Sequence, residues 1–260
     1  MTRVVFALAK REFIRFLRQP QRVIGSVAQP VLFWIFLGSG FSASFRAPGM
    51  EGVGYLEYFY PGVMLMMMLF ASIFSSITII EDRDQGFLQS VLVAPVPRIA
   101  IVLGKVLGGS AIAMVQLLIF TLAAPFLGLS LGLGNLALLL LAFVLGSVGF
   151  AALGFMLAWG MRSTAGFHAI MMVFLMPLWM LSGAIFPIDN APLWLHALMA
   201  INPVAYSLVL MRAPFYAGPE TLFADPNYLT ALAVTVAWAG LCLFLSMLRV
   251  EKREQGAALA

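Results

Sequence analysis

The ionisable side chains of this chain are few, and one polar segment, residues 81–105, carries six of the 28 Asp, Glu, Lys, Arg and His residues. The segment reads EDRDQGFLQSVLVAPVPRIAIVLGK and separates two apolar runs that are each long enough to cross a bilayer. Asp82 and Asp84 are predicted to stand at the N-terminus of a helix, which favours negative charge, and Pro95 ends the helical run. The apolar spacing predicts one amphipathic face, formed by Phe87, Leu88, Val91 and Leu92. Such a face is typical of a docking site for a partner.

The remaining reactive residues form no recognisable catalytic or metal-binding set. There is no His-Glu-x-x-His helix, and Gly104-Lys105 lacks the upstream glycine of a phosphate-binding loop. His168 and His196 are far apart and have no neighbouring carboxylate or cysteine with metal-ligand spacing. Cys242 is the one cysteine, which excludes an intrachain disulfide. We therefore expect a protein that is not an enzyme and that binds no metal or cofactor directly.

The elements that position these residues are predicted to be membrane helices. Hydrophobic residues make up 62% of the 260 residues and charged residues 10%, compared with about 25% charged residues in soluble domains. The mean hydropathy is +1.00. Six apolar stretches approach the ~20 residues that a spanning helix needs: 23–41, 59–80, 106–127, 136–159, 169–186 and 228–248. Because none alternates with period two, an all-α integral membrane protein with six transmembrane helices is favoured over a β-barrel.

The basic residues are distributed unequally between the two sides of the predicted bundle. Thirteen of the fifteen Lys and Arg residues fall on the side of the N-terminus, and only Arg46 and Arg212 fall on the other. Because cytoplasmic loops carry the excess of Lys and Arg, both termini are predicted to be cytoplasmic. The net charge of +4 then reflects membrane topology, and no nucleic-acid partner is expected.

Two stretches are predicted to lie along the membrane surface. Residues 1–22 have basic residues on one side and apolar residues on the other, which predicts an amphipathic interfacial helix that Pro20 ends. A polybasic anchor on anionic lipid explains the arginines equally well, whereas a cleaved signal peptide is disfavoured because its removal would misplace the tail. Residues 187–227 are apolar but cut by several prolines, which predicts short outer-leaflet helices before span six. Residues 1–260 are expected to form a single transmembrane domain.

Two sequence elements resemble those of a known family. The run from Asp84 to Pro95, followed by Gly104-Lys105, is similar to the acidic-x-Gly-x-Leu, Pro, Gly-Lys element of ABC-2 type transporter permeases. A second run resembles the Ser-Gly-x-x-Phe-Pro, Pro, Asn-Pro element of the same family and consists of Ser182 to Pro187, Pro192 and Asn202-Pro203. Together with the basic N-terminal helix, the resemblance covers essentially the whole chain.

The resemblance implies how the protein is powered. In that family two permease subunits pair as a homodimer or heterodimer in the bilayer, and two copies of a separate cytoplasmic ABC ATPase hydrolyse ATP. The segment 81–105 would then be the coupling loop, whose helix between spans two and three enters a groove of the ATPase. The residues that the resemblance assigns to ATPase coupling are Asp84, Gly86, Phe87, Leu88, Val91, Leu92 and Pro95. A bacterial cytoplasmic (inner) membrane is the expected location.

The predicted spans contain no Asp, Glu, His or Arg in their interiors, which argues against an ion-coupled secondary carrier. An ATP-driven exporter that works by alternating access is favoured, and a non-transporting membrane assembly factor stays open as an alternative. A lipophilic small molecule or lipid-like cargo is favoured over a free or lipid-linked polysaccharide, because methionines in spans two and five would give an adaptable lining. The residues expected along the substrate path are Phe33, Trp34, Met67 and Met176, which plain helix packing also explains.

Overall fold

A computed structural model describes residues 1–41, 52–186 and 192–257, with side chains as far as Glu251. Arg46 and Pro187, which contribute to the topology and motif predictions, lie outside these ranges. The described chain is helical and contains no strand. Its α-helices are α1 Thr2–Leu17, α2 Pro20–Phe41, α3 Tyr55–Ser75, α4 Ile77–Asp84, α5 Phe87–Val93, α6 Arg98–Thr121, α7 Leu133–Gly160, α8 Thr164–Met180, α9 Leu193–Ile201, α10 Pro203–Arg212, α11 Pro219–Ala224 and α12 Pro226–Ala257. Short 3₁₀ turns, Ala124–Leu127 and Ala213–Phe215, follow α6 and α10.

Five stretches of the described chain are long and apolar enough to cross a membrane, namely α2, α3 with α4, α6, α7 and α12. The pair α9 and α10 would make a sixth, but the two helices meet at a bend of 83°. α8 has 17 residues, or about 25 Å of helix, which is at the lower limit for a span. It ends at Met180, six residues before the predicted end, because a turn follows. The all-α membrane fold with five or six candidate spans is thus confirmed.

α3 is the central helix of the bundle and is buried along most of its length. The neighbours α2, α6, α7 and α8 pack around it. Small residues bring these helices close together: a Cβ atom on Gly62 would lie 2.9 Å from Ala184, and one on Gly154 would lie 2.9 Å from the backbone of Ile73. Close approach of backbones is what stabilises helix pairs in a membrane, where lipid competes for apolar contacts.

α1 ends before Pro20, as predicted, and packs lengthwise against α6. Two glycines of α6 permit this contact, since a Cβ atom on Gly104 would lie 2.7 Å from Leu8, and one on Gly108 would lie 2.7 Å from Glu12. Leu8 and Glu12 are both buried there. The side of α1 that carries Val5, Leu8 and Glu12 therefore faces the protein's own bundle, whereas Phe6 and Leu17 are exposed.

The second family-like element forms the turn after α8 and the link to α10. Gly183 has a φ of +83°, a left-handed conformation that glycine adopts without steric cost. The side-chain amide of Asn202 donates to the carbonyl of Leu178 at 2.6 Å, and its oxygen accepts from the backbone N–H of Val204 at 3.0 Å. Asn202 thus caps α10 and satisfies one of the last carbonyls of α8. Short helices α9, α10 and α11 lie in the stretch predicted to contain them.

Candidate functional site

The polar segment folds as two short helices that meet at a sharp turn. α4 ends at Asp84, and Gly86, with a φ of +77°, turns the chain into α5. Residues with a side chain rarely adopt this φ, which explains why the family-like element has a glycine at this position. Pro95 follows α5 and prevents its continuation. The prediction that Asp82 and Asp84 stand at a helix N-terminus is wrong: they end α4, and cations from other helices compensate the charge of Asp82.

Asp82 is completely buried, and three cations bind its carboxylate. Arg11 of α1 donates to both oxygens, at 3.0 and 2.8 Å, and Arg15 donates to one of them at 2.8 Å. Lys105 of α6 donates to the other oxygen. Burial of a carboxylate is costly unless charge-assisted hydrogen bonds replace its lost hydration, and here four such bonds do so.

Two further carboxylates balance these cations. Glu12 accepts from Lys105 at 2.8 Å and from Arg11 at 3.0 Å, and Glu81 accepts from Arg15 at 2.7 Å. The hydrogen bond to Asp82 raises the pKa of Arg11 above its ordinary value, although burial opposes the shift, so this guanidinium stays charged. We call these six residues, whose formal charges cancel, the charge cluster: Arg11, Glu12, Arg15, Glu81, Asp82 and Lys105.

The charge cluster connects α4 and α5 to the rest of the bundle. The guanidinium carbon of Arg11 lies 3.7 Å from the centroid of the Phe87 ring, at the start of α5. On the other side of α4, Arg83 donates to the carbonyls of Trp159 and Met161 at 2.8 and 2.6 Å. These carbonyls end α7 and have no partner within that helix. The end of α4 is therefore fastened to α1 and α6 on one side and to α7 on the other.

The predicted apolar face of α5 is turned toward the interior of the same subunit. Leu88 is 4% exposed and belongs to the core, and Phe87, Val91 and Leu92 are half-buried against it. Val93, on the opposite side, is 87% exposed. We call the exposed residues on and beside α5 the exposed face of α5: Asp84, Gln85, Gln89, Ser90, Val93 and Pro95. A partner that touches α5 in this conformation meets the exposed face.

The four residues predicted along a substrate path take part in packing. The indole N–H of Trp34 donates to a backbone carbonyl of α3 at 3.0 Å, and the ring centroid of Phe33 lies 5.7 Å from that of Trp179. Met67 is 1% exposed, and Met176 packs half-buried against the core. The structure therefore does not bring these side chains together around one opening.

A cavity of about 290 Å³ lies between α2, α3, α6 and α8, toward the end of the bundle that holds the charge cluster. Its lining includes the methionines Met66 and Met172, which are neighbours of the predicted path residues on the same two helices. The density of methionine in spans two and five pointed to two helices that border this cavity. It did not determine how each helix is rotated, which decides the residues that line a cavity.

A hydrolase-like sequence in the chain has no catalytic setting. Residues 128–132 read Gly-Leu-Ser-Leu-Gly, the spelling of a nucleophile elbow, which the expectation of no recognisable catalytic set overlooked. Such an elbow joins a strand to a helix, whereas in the described structure Ser130 is exposed in a loop between a 3₁₀ turn and α7. Within the described ranges, no three His, Cys, Asp or Glu residues are grouped in a way that could hold a metal ion.

None of the six charge-cluster residues was among the predicted coupling residues, and Glu12 was not singled out at all. A usable signal was present, because Val5, Leu8 and Glu12 are spaced three and four residues apart and thus share one face of α1. A carboxylate on an apolar helical face needs a buried cation, and Lys105 provides it. Arg11 and Arg15, for which anionic lipid was an equal explanation, are bound in ion pairs within the protein.

The chain is similar in sequence to known proteins. A profile of the ABC-2 type transporter family matches residues 3–216, a range that contains α1, the charge cluster and α5. The chain belongs to the ABC-2 type transporter family. The resemblance drawn from the two sequence elements is thereby confirmed.

Several relatives of this ABC-2 protein are named as permeases. It is 32% identical over 224 residues to the protein named transport permease ycf38 of Cyanophora paradoxa, covering 85% of this chain and 77% of the relative. It is 27% identical over 174 residues to the protein named multidrug ABC transporter permease YbhR of Escherichia coli, covering 65% of this chain and 45% of the relative. It is 26% identical over 199 residues to nodulation protein J of Rhizobium leguminosarum bv. viciae, covering 76% of each chain. The protein is thus a membrane permease of an ABC transporter, a class that associates with an ABC ATPase.

Proposed function

We propose that this permease is the transmembrane subunit of an ATP-driven exporter. Two permease subunits, identical or different, would pair in the bilayer, and two copies of a separate ABC ATPase would bind and hydrolyse ATP, so that the permease holds no cofactor itself. Both termini would lie in the cytoplasm of a bacterium, as the distribution of basic residues indicates. A lipophilic or lipid-like cargo would move outward by alternating access.

The observation that carries this proposal is the attachment of α5 to the bundle. Leu88 anchors α5 in the core, and the ring of Phe87 lies against Arg11 of the charge cluster. A displacement of α5 therefore moves α4 and α1 with it. The charge cluster would pass the displacement to α6, and Arg83 would pass it to α7. Because α6 and α7 both pack on the central helix α3, the movement reaches the middle of the bundle.

The ATPase contact is assigned to the exposed face of α5 in this proposal. The four apolar residues of the predicted docking surface would instead hold α5 to its own subunit, as their burial indicates. Val93 is the largest exposed apolar side chain on α5 and would insert into the ATPase groove. Apolar anchors of this kind dominate binding energy when a partner buries them.

An ion-coupled carrier would need ionisable groups along the transport path. In the described part of the chain, the buried Asp, Glu, Lys, Arg and His side chains are Glu12, Asp82 and Lys105. All three belong to the charge cluster at one end of the bundle, where they bind one another. This arrangement supports a mechanical role, and it offers no relay of protons through the spans.

The docking assignment predicts that Val93→Asp weakens binding of the cognate ATPase by at least about tenfold, which corresponds to about 1.4 kcal/mol. The permease and its ATPase are co-expressed, and association is measured by co-purification and by ATP hydrolysis of the complex. Phe126→Asp is the matched control, because Phe126 is 92% exposed and lies at the other end of the bundle. Undiminished association of the Val93→Asp variant would contradict the assignment.

A further inference from the structure

The cavity between α2, α3, α6 and α8 combines an apolar wall with a polar rim. Its back wall on α3 consists of Met66, Phe70, Ala71, Phe74 and Ser75. Gly25 and Gln29 of α2 line one side, and His168 and Met172 of α8 line the other. These four residues are exposed, so the cavity opens at the surface of the bundle between α2 and α8.

Arg22 brings a positive charge to this cavity. Its guanidinium donates to the side-chain oxygen of Gln19 at 3.3 Å and to the carbonyl of Phe74 at 3.0 Å. Both acceptors are uncharged, and no carboxylate among the described residues forms an ion pair with Arg22. Five N–H donors are available on a guanidinium, so these two bonds leave donors for a ligand.

The charge cluster forms no ion pair with Arg22, although Glu81 and Glu12 attract its charge from a distance. Its three cations and three carboxylates are paired with one another, and Glu81 is bound to Arg15 at 2.7 Å. A partly buried cation without an ion-pair partner is costly in an apolar setting. An anion that reached the cavity would remove this cost, because guanidinium groups bind phosphate and carboxylate in a bidentate geometry.

The apolar wall defines the rest of the ligand. A volume of about 290 Å³ is at the lower end of the range for small-molecule pockets, roughly 300–1,000 Å³. The cavity can hold a headgroup and the first part of an acyl chain, and the rest of the acyl chain can extend through the opening between α2 and α8. His168, whose ring lies 4.8 Å from that of Phe74, is placed at this opening and can exchange hydrogen bonds with a headgroup.

We propose that this cavity binds an amphiphile with a phosphate or carboxylate headgroup, which Arg22 holds and which reaches the site from the bilayer between α2 and α8. The amphiphile can be a resident membrane lipid or the cargo. Only the second source rests on the proposed function, because binding itself needs neither ATP nor export. The proposal narrows a lipid-like cargo to one with a negative headgroup.

The first test compares two lipids of equal chain length that differ in headgroup charge. The purified permease–ATPase complex is mixed with equal amounts of phosphatidylglycerol and phosphatidylcholine, and the bound lipids are counted by native mass spectrometry. We expect the complex to retain phosphatidylglycerol in preference, and Arg22→Gln to lower this preference about tenfold, as expected for loss of a charge-assisted hydrogen bond. Arg22→Lys should keep part of it.

A matched control separates the site from general surface charge. Arg18→Gln removes the same charge four residues away, from an exposed side chain that does not line the cavity. We expect the Arg18→Gln complex to behave like the wild type. Equal losses for the two variants, or no loss for Arg22→Gln, would overturn the proposal.

A second variant tests the cavity without changing its charge. A Cβ atom on Gly25 would meet nothing within 4 Å, so Gly25→Phe can fill the cavity without a backbone clash. Gly40→Phe is its control, because Gly40 is equally open, lies on the same helix and does not line the cavity. Gly25→Phe should displace the bound phosphatidylglycerol and Gly40→Phe should not. Retention of the lipid by the Gly25→Phe variant would overturn the proposal.

Adding ATP distinguishes the two sources. Release of bound acyl-labelled phosphatidylglycerol during ATP hydrolysis, dependent on Arg22, would identify the anionic amphiphile as cargo. Retention of the label through many turnovers would identify a resident lipid. Both results support the binding site, and the second contradicts only the lipid-like cargo of the proposed function.

Discussion

Asp82 is the residue on which the polar contacts of the site converge. It lies at the end of α4, is completely buried, and binds cations from α1 and α6. Removing one partner from a buried ion pair typically costs about 3–5 kcal/mol, since the other charge stays buried without compensation. The side chain therefore holds three helices together and has no solvent-facing role.

Replacement of Asp82 by Asn is predicted to lower the stability of the permease by about 3–5 kcal/mol, because three cations would lose their shared carboxylate. The measurement is unfolding of the purified protein in detergent, followed by intrinsic fluorescence. Asp84→Asn removes the same charge two residues later from an exposed position, and its effect should stay within about 0.5 kcal/mol. Similar shifts for the two variants would contradict the role of the charge cluster.

The sequence contained part of the information for this site. The carboxylate of Glu12 on an apolar helical face indicated a buried charge, and Gly104 and Gly108 indicated a closely packed helix. The pairing of Glu12 with Lys105 could not be predicted, since it joins residues 93 positions apart. Only the packing of α1 on α6 brings these two side chains together.

At the scale of elements, α5 is a short helix held by its apolar side. Seven residues are too few to form a stable helix in isolation, so its order depends on packing. The amphipathic pattern correctly showed which residues share a face. It could not show what covers that face, because the subunit's own core and a partner protein offer the same apolar environment.

Truncation of Leu88 to Ala is predicted to loosen α5, because such buried deletions typically cost about 2–5 kcal/mol. The amide hydrogens of α5 should exchange faster with deuterium in the variant, as measured by mass spectrometry. Val93→Ala shortens an exposed side chain on the same helix and should leave exchange unchanged. Equal protection of α5 in the wild type and the Leu88→Ala variant would show that Leu88 is not its anchor.

At the scale of the whole molecule, composition and the lengths of apolar runs predicted the helical bundle well. α7 lies within three residues of its predicted span at each end, whereas α6 starts eight residues earlier and ends six residues earlier than predicted. α8 starts and ends earlier than the predicted span, and the turn at Gly183 follows its end. Hydropathy detects apolar length and does not detect such turns.

The proposed topology predicts which side of the membrane each end of the bundle faces. Cysteine introduced at Gln89, on the exposed face of α5, should react with a membrane-impermeant maleimide only from the cytoplasmic side. Cysteine introduced at Phe126 should react only from the other side. The native Cys242 is only 4% exposed, so we expect it not to react with the maleimide and to add no background labelling. Labelling of both positions from the same side would contradict the topology.

The central claim is that force applied to α5 reaches the bundle through the charge cluster. Arg11→Met is the most direct perturbation, because it removes the bonds to Asp82 and the charge over Phe87 while keeping an apolar stem. Lys10→Met removes the same charge from the neighbouring exposed residue and serves as the control.

The measurement is deuterium exchange in the permease–ATPase complex, with and without ATP and vanadate. In the wild type and the Lys10→Met variant, trapping the ATPase should change exchange in both α5 and α6. In the Arg11→Met variant the change should persist in α5 and be lost in α6. An unaltered ATP-dependent change in α6 of the folded Arg11→Met complex would contradict transmission through the charge cluster.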